Sequence, residues 1–349
     1  MKAVVCTHPK QRNLGPLIVL LLLSLACGQS VSPVPSSPTA SAVTETAATP
    51  TPADRLASIP AGAVKVAPAE DRWQPLIAPG WSRPQPLGAP INTAGAEDSP
   101  FILPDGQTLY FFFTPDLHIP AEKQLFDGVT GIWAARRSGG GWADPQRVTL
   151  AAPGEVHLDG CPFVLGDQMY FCSARAGNFR DVDLFTAVFE NGRWSDWQNA
   201  GQTLNQEYQA GEMHLTADGS ELYFGSSRPG GAGGYDLWVS PRASTGWAAP
   251  QNLGAAVNTP GDENRPFVSP NGQELWYDAG SRQGAPGPAV FRCLRQPDGS
   301  WNACTEIVSS FAGEPTLTGD GRTLYFVHHY FTADMRQMIE ADIYVSTRQ

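Results

Sequence analysis

Gly80-Trp81-Ser-Arg-Pro-Gln-Pro-Leu87-Gly88-Ala-Pro-Ile91-Asn92-Thr93 returns downstream as Gly246-Trp247-Ala-Ala-Pro-Gln-Asn-Leu253-Gly254-Ala-Ala-Val257-Asn258-Thr259. In the second copy the phrase closes a repeat that begins far upstream. In the first copy nothing of that repeat precedes it, and the missing part stands at the other end, in Asp342-Ile343-Tyr344-Val345-Ser346. A first strand that completes the last repeat makes a ring, and a ring of strand repeats is a β-propeller closed by its own N-terminal strand.

Working outward from that phrase, each repeat starts with a hairpin. Pro100-Phe-Ile-Leu-Pro-Asp105-Gly106-Gln-Thr-Leu109-Tyr110-Phe111 is answered by hairpins centred on Asp167, Asp218-Gly219, Asn271-Gly272 and Asp320-Gly321. Asp-Gly or Asn-Gly between apolar runs predicts a tight turn with positive φ at both central residues. A third strand follows at Gly131-Ile132-Trp133, Asp183-Leu184-Phe185, Asp236-Leu237-Trp238, Ala289-Val290-Phe291 and Asp342-Ile343-Tyr344. A fourth begins at Trp142, Trp194, Trp247 and Trp301, with Trp81 supplying the fifth copy. The expected fold is therefore all-β, a five-bladed β-propeller over residues 71–349. The 36 Gly and 31 Pro agree with strands joined by turns.

The N-terminus reads as an export signal, residues 1–26. Lys2, Lys10 and Arg12 precede an apolar stretch ending in Ser24-Leu25-Ala26-Cys27, too short for a comfortable membrane span. A cysteine directly after the cut resembles the lipobox of bacterial lipoproteins, with Cys27 acylated; a plain secretory signal is the alternative. Residues 27–70, opening with a run of Ser, Thr, Pro, Ala and Val, read as a disordered linker. Four of the six cysteines then remain. Cys161 and Cys172 flank one hairpin turn and Cys293 and Cys304 flank another, so two cross-strand disulfides are expected, Cys161–Cys172 and Cys293–Cys304, in an oxidising compartment. A four-cysteine metal site fits less well, because neither pair has close zinc spacing.

The repeats resemble the WD40-like repeats of TolB-type propellers, whose marks are a Pro-Asp-Gly turn, an aliphatic-aromatic pair, a Ser-x-Arg-x-Gly-Gly loop and Asp-aliphatic-Trp. The pattern is fullest from Ser226-Ser227-Arg228-Pro229-Gly230-Gly231 to Asp236-Leu237-Trp238. The resemblance implies a protein-binding or cell-wall-associated module of the envelope. It does not carry over TolB's own partner, since an N-terminal α/β domain is not evident here.

A carboxylate stands just before each inner strand: Glu97, Asp159, Glu212, Glu263 and Glu314. If these converge on the channel mouth they form a negative ring for a basic group or a cation such as calcium. A residue present in every repeat equally suits a structural duty in the repeat. Arg228 and Arg265 join the ligand-binding candidates, and among exposed loop residues Tyr208, Phe179 and Phe331 are expected contacts. No dedicated metal site or cofactor is expected from His118, His157, His214, His328 and His329, which are spread over several repeats. A glycan-active hydrolase drawing on the same five acids is the alternative function, since such enzymes need two carboxylates about 5–9 Å apart. The net charge of −11 argues against nucleic acid and for basic or cationic partners. The expectation is a monomeric, membrane-anchored, extracytoplasmic module that binds protein or envelope glycan.

Overall fold

The computed structural model describes residues 54–349 apart from Ala303. The signal, Cys27 and most of the linker lie outside the described residues. The fold is all-β. Each sequence repeat forms an antiparallel set whose inner strand is the first in chain order: Ala96–Ile102, His157–Leu165, Met213–Leu215, Glu263–Val268 and Ala312–Leu317. The first and fifth sets join into one nine-stranded sheet through a parallel bridge between Ala341 and Ala96. Each inner strand lies against the next, and Ala312–Leu317 lies against Ala96–Ile102. Strand Gln85–Pro86 pairs with Met338–Thr347, and Trp81 bridges Arg348.

The phrase repeated at residues 80–93 and 246–259 works as a clasp between neighbouring sets. Asn92 Nδ2 donates to Ile343 O (2.9 Å) and Asn92 Oδ1 accepts from Ile343 N (3.1 Å). Asn258 makes the same double bond with Leu237, and Asn205 with Leu184. Each asparagine thus satisfies both backbone groups of an aliphatic residue in the preceding third strand, where a lone buried amide would be costly.

The Asp-Gly turns differ from expectation. Gly106, Gly219, Gly272 and Gly321 have φ of 64–70°, but the Asp or Asn before each does not have positive φ. Gly106 N donates to Leu103 O (2.8 Å), and Asp105 Oδ1 accepts from Gln107 N (2.9 Å). The longer loop puts the carboxylate to work as an acceptor, so only glycine needs the left-handed region. Of the tryptophans read as opening the fourth strand, Trp194 stands at the start of Arg193–Asn199, whereas Trp142 ends a separate two-residue strand and Trp81, Trp247 and Trp301 make isolated bridges four residues ahead of the strand; these four lie under an arginine of the facing segment, Arg137, Arg348, Arg242 and Arg295.

Residues 54–70, read from the sequence as the end of a disordered linker, are laid on the sheets. Arg55 is 5% exposed and donates to Pro90 O and Ile91 O, and Lys65 pairs with Glu340 and Asp342. Two cations with buried acceptors give this segment the anchoring that its small-residue composition withholds. Strand Leu76–Ile77 then adds to the outer edge of Thr305–Ser309.

Candidate functional site

The centre of the molecule is built by a repeated irregularity. In four inner strands the register shifts, between Asp98 and Phe101, Gly160 and Phe163, Asn264 and Phe267, and Gly313 and Thr316. The bulged residue is Ser99, Cys161, Arg265 or Glu314, with φ of 45–57°, and proline follows each. Proline cannot donate to a ladder, so the bulge places it where no bond is required. Positive φ in a non-glycine residue before proline is uphill by about 1–3 kcal/mol, a cost that the surrounding sheets must offset. The third repeat has Met213 in place of proline, and its preceding residue, Glu212, does not have positive φ.

These five positions, Ser99, Cys161, Glu212, Arg265 and Glu314, line a cavity of about 50 Å³. The prolines and Met213 that follow them, and, two residues further on, Phe101, Phe163, His214, Phe267 and Thr316, complete its lining. Phe101 and Phe163 meet edge to face at 5.2 Å, and the His214 ring lies 4.5 Å from Phe163 and 4.6 Å from Phe267. Burial lowers His214 to about 3, so the ring is neutral, and its Nδ1 accepts from Val268 N. These four rings, each from a different inner strand, pack against one another across the centre.

Arg265 is the hub of the charges. Its Nε lies 2.9 Å from Glu314 and 3.2 Å from Glu212, and its Nη1 is 3.1 Å from Asp278. Ser99 N donates to Asp98 (2.8 Å) and Glu314 (2.6 Å), and Glu314 N donates to Asp278 (2.9 Å). Three carboxylates therefore surround one guanidinium, with Asp98 beside Glu314. Burial is the main cause that pushes Glu314 well above its ordinary range, with repulsion from Asp98 adding to it and Arg265 opposing. Burial also raises Glu212 to about 7 against the pull of Arg265, although its side chain is 28% exposed into the cavity. Burial lowers His329 to about 4.

The five acids read as a ring divide into two groups. Glu97, Asp159 and Glu263 sit two residues before the bulge and are committed elsewhere. Glu97 accepts from Thr93 N (2.8 Å) and Thr93 Oγ1 (2.6 Å), and Glu263 repeats this with Thr259 N (3.0 Å) and Oγ1 (2.5 Å). Asp159 is held by His157 (2.7 Å), Ser173 (2.7 Å) and Arg175 (2.7 Å). Only Glu212 and Glu314 reach the cavity. The expected ring fails because the bulge offsets two residue classes that look alike in sequence.

Of the arginines, Arg265 is central, whereas Arg228 lies over Tyr208 (5.4 Å) and Trp238 (5.0 Å), away from the cavity. Tyr208 and Phe331, expected to be exposed, are buried, the first stacked on Phe224 and the second on Phe311. Phe179 is exposed as expected. The Cys293–Cys304 disulfide is formed, with a Cα separation of 4.4 Å. Cys161 and Cys172 are free thiols. Cys172 faces Gly160, because the bulge turns Cys161 toward the cavity and removes it from the pairing register. Contact with Cys172, followed by burial, pushes the Cys161 thiol well above its ordinary range.

Sequence reasoning missed Asp98 and Asp278, and it set His329 aside as one of several scattered histidines. Asp278 had a readable signal: it follows Leu275-Trp276-Tyr277, where the other repeats have Phe112, Cys172, Gly225 and Val327. One acid among apolar or small counterparts marks a position freed from the repeat's own needs.

No protein-family model matches the chain, and no curated protein matches it. Solved structures do. TolB from Acinetobacter baumannii is 13% identical, with 74% of this chain covered, 56% of that chain covered and a TM-score of 0.41. The α-L-arabinofuranosidase PaAbf62A from Podospora anserina, in complex with cellotriose, is 12% identical, covers 76% of this chain and 95% of its own, and has a TM-score of 0.46. A xylan β-1,4-xylosidase from Bacillus halodurans C-125 is 14% identical over 74% of this chain and 54% of its own, with a TM-score of 0.43. The chain thus spans a little over half of the Acinetobacter TolB.

Proposed function

We propose that the five strand sets are blades of a propeller closed by strand Gln85–Pro86, and that the domain is a non-enzymatic binding or scaffolding module. The observation that carries this reading is the plugged centre. A cavity of about 50 Å³ falls well below the roughly 300–1,000 Å³ of sites that enclose small ligands. Its acids are occupied by Arg265 and backbone amides. Ring closure is supported by the succession of inner strands and by the pairing of the chain's two ends.

Recognition is then assigned to the rim formed by the loops between second and third strands. Phe126 (72% exposed) and Phe179 (48% exposed) stand on two such loops, with Val156 on a neighbouring loop that leads to an inner strand. Apolar side chains gathered on loops of a rigid scaffold suit a protein partner. An extracytoplasmic location with a lipid on Cys27 is supported by the N-terminal sequence and by the Cys293–Cys304 disulfide. Among the described residues no helix is long and apolar enough to cross a membrane.

A glycan-active hydrolase is the second reading, favoured by one observation: Glu212 is open to the cavity and raised to about 7, as a general acid would be. One experiment separates the two. Envelope proteins are cross-linked to the wild type and to a Phe126→Ser/Phe179→Ser variant, and both proteins are screened for oligosaccharide hydrolysis beside Glu212→Gln. A partner lost with the two phenylalanines, and no turnover, supports the module. Turnover abolished by Glu212→Gln replaces it with the enzyme.

A further inference from the structure

Asp98, Glu314 and His329 come from three strands, and each offers a ligand atom within 4.8 Å of the other two. All three are buried. His329 is 3% exposed, and neither of its ring nitrogens has a hydrogen-bond partner. Its Nε2 is directed at Asp98 Oδ1 from 4.0 Å. Buried imidazoles ordinarily satisfy at least one nitrogen, so an unpartnered ring facing two carboxylates calls for a missing neighbour. We propose that Asp98, Glu314 and His329 bind a divalent transition-metal ion of the zinc or manganese class.

The donor set matches that class, since imidazole with carboxylates suits zinc and manganese, whereas calcium takes six to eight oxygens. Both ligand carboxylates are already oriented, Asp98 by Ser99 N and Glu314 by Ser99 N and Arg265, as outer partners orient metal ligands. Arg265 takes Glu314 Oε1, and each carboxylate oxygen has two lone pairs, so acceptor capacity remains on the side of Asp98. The cavity lined by Ser99 and Glu314 gives the ion its path inward.

The test is calorimetric titration of chelator-treated protein with zinc chloride and, separately, with manganese chloride. It is run on the wild type, His329→Gln, Asp98→Asn and the surface control His118→Ala. The expected result is one ion per chain and a raised melting midpoint. Affinity should weaken at least about ten-fold in His329→Gln and Asp98→Asn and stay unchanged in His118→Ala. Absence of saturable binding by the folded wild type below about 1 mM overturns the site, as does binding that survives His329→Gln. Should either variant fail to fold, anomalous diffraction from zinc-soaked wild-type crystals decides: density between Asp98 and His329 supports the site, and its absence there overturns it.

Discussion

Arg55 Nη1 stands 3.6 Å from Glu97 Oε1, with the guanidinium over the rings of Phe111, Phe113 and Trp133. Arg175 holds the same relation to Asp159 over Phe171 and Phe185, and Arg282 lies 3.7 Å from Glu263 and over Phe291. Four residues after the last aromatic of the Tyr-Phe pair, Phe171 leads to Arg175 and Phe224 to Arg228, but Phe111 leads to Pro115 and Phe326 to Tyr330. The two sets that lack their own cation receive Arg55 and Lys65 from the N-terminal segment. Arg55→Ala should therefore destabilise the protein by about 3 kcal/mol, the low end for breaking a buried pair because Glu97 can take up a proton. Lys65→Ala should cost less, since Lys65 is partly exposed. Urea unfolding of both variants checks this, and an unchanged midpoint for Arg55→Ala refutes it.

Glu97 also sets a pH dependence. Burial raises it from 4.5 to about 7 even with Arg55 beside it. The folded state therefore holds the proton more tightly than the unfolded chain. The stability this contributes is full below pH 4.5 and is lost as pH rises through 7. Compared with Glu97→Gln, the wild type should weaken by about 1.4 kcal/mol for each pH unit across that window. Unfolding both proteins at pH 5 and pH 8 tests the sign, because other titrating groups cancel in the difference. Parallel stability curves would exclude a raised Glu97.

The cysteines give a chemical test. Thiol labelling of the denatured, unreduced domain should find two reactive groups, Cys161 and Cys172, with Cys293 and Cys304 protected. The disulfide closes a loop with a sequence separation of 11, so Cys293→Ser/Cys304→Ser should cost about 3 kcal/mol in the chain-entropy account. Labelling of no thiols would show that the bulge at Cys161 relaxes enough to close the second bond.

Repeats were legible because each strand set has the same demands. The aliphatic-aromatic pairs, the turn glycines and the opening tryptophans recur wherever the same strand must be buried or the same corner turned. The centre was not legible for the opposite reason. Whether Glu97 or Glu314 reaches the cavity depends on the two-residue offset made by a bulge, and a bulge leaves only an X-Pro step in the sequence. Asp278 and His329 arrive from second strands, far in sequence from the acids they meet. The anchoring of residues 54–70 was hidden because it depends on two isolated cations whose acceptors lie elsewhere in the chain.

Among the described residues Arg265 is the one cation paired with Glu212, Asp278 and Glu314, all three within 3.2 Å of it. Arg265→Gln keeps some hydrogen-bonding capacity and removes the charge, leaving like charges close together at low dielectric. The expected loss is about 3–5 kcal/mol, the range for leaving a buried charge without its partner. The loss should be larger at pH 8 than at pH 5, because Glu212 and Glu314, both raised by burial, take up protons as the solution is acidified and relieve the repulsion. Unfolding at the two pH values measures it. A loss independent of pH would assign Arg265 a packing role in the bulge, and a loss that shrinks on acidification would identify it as the counter-charge of the cavity's acids.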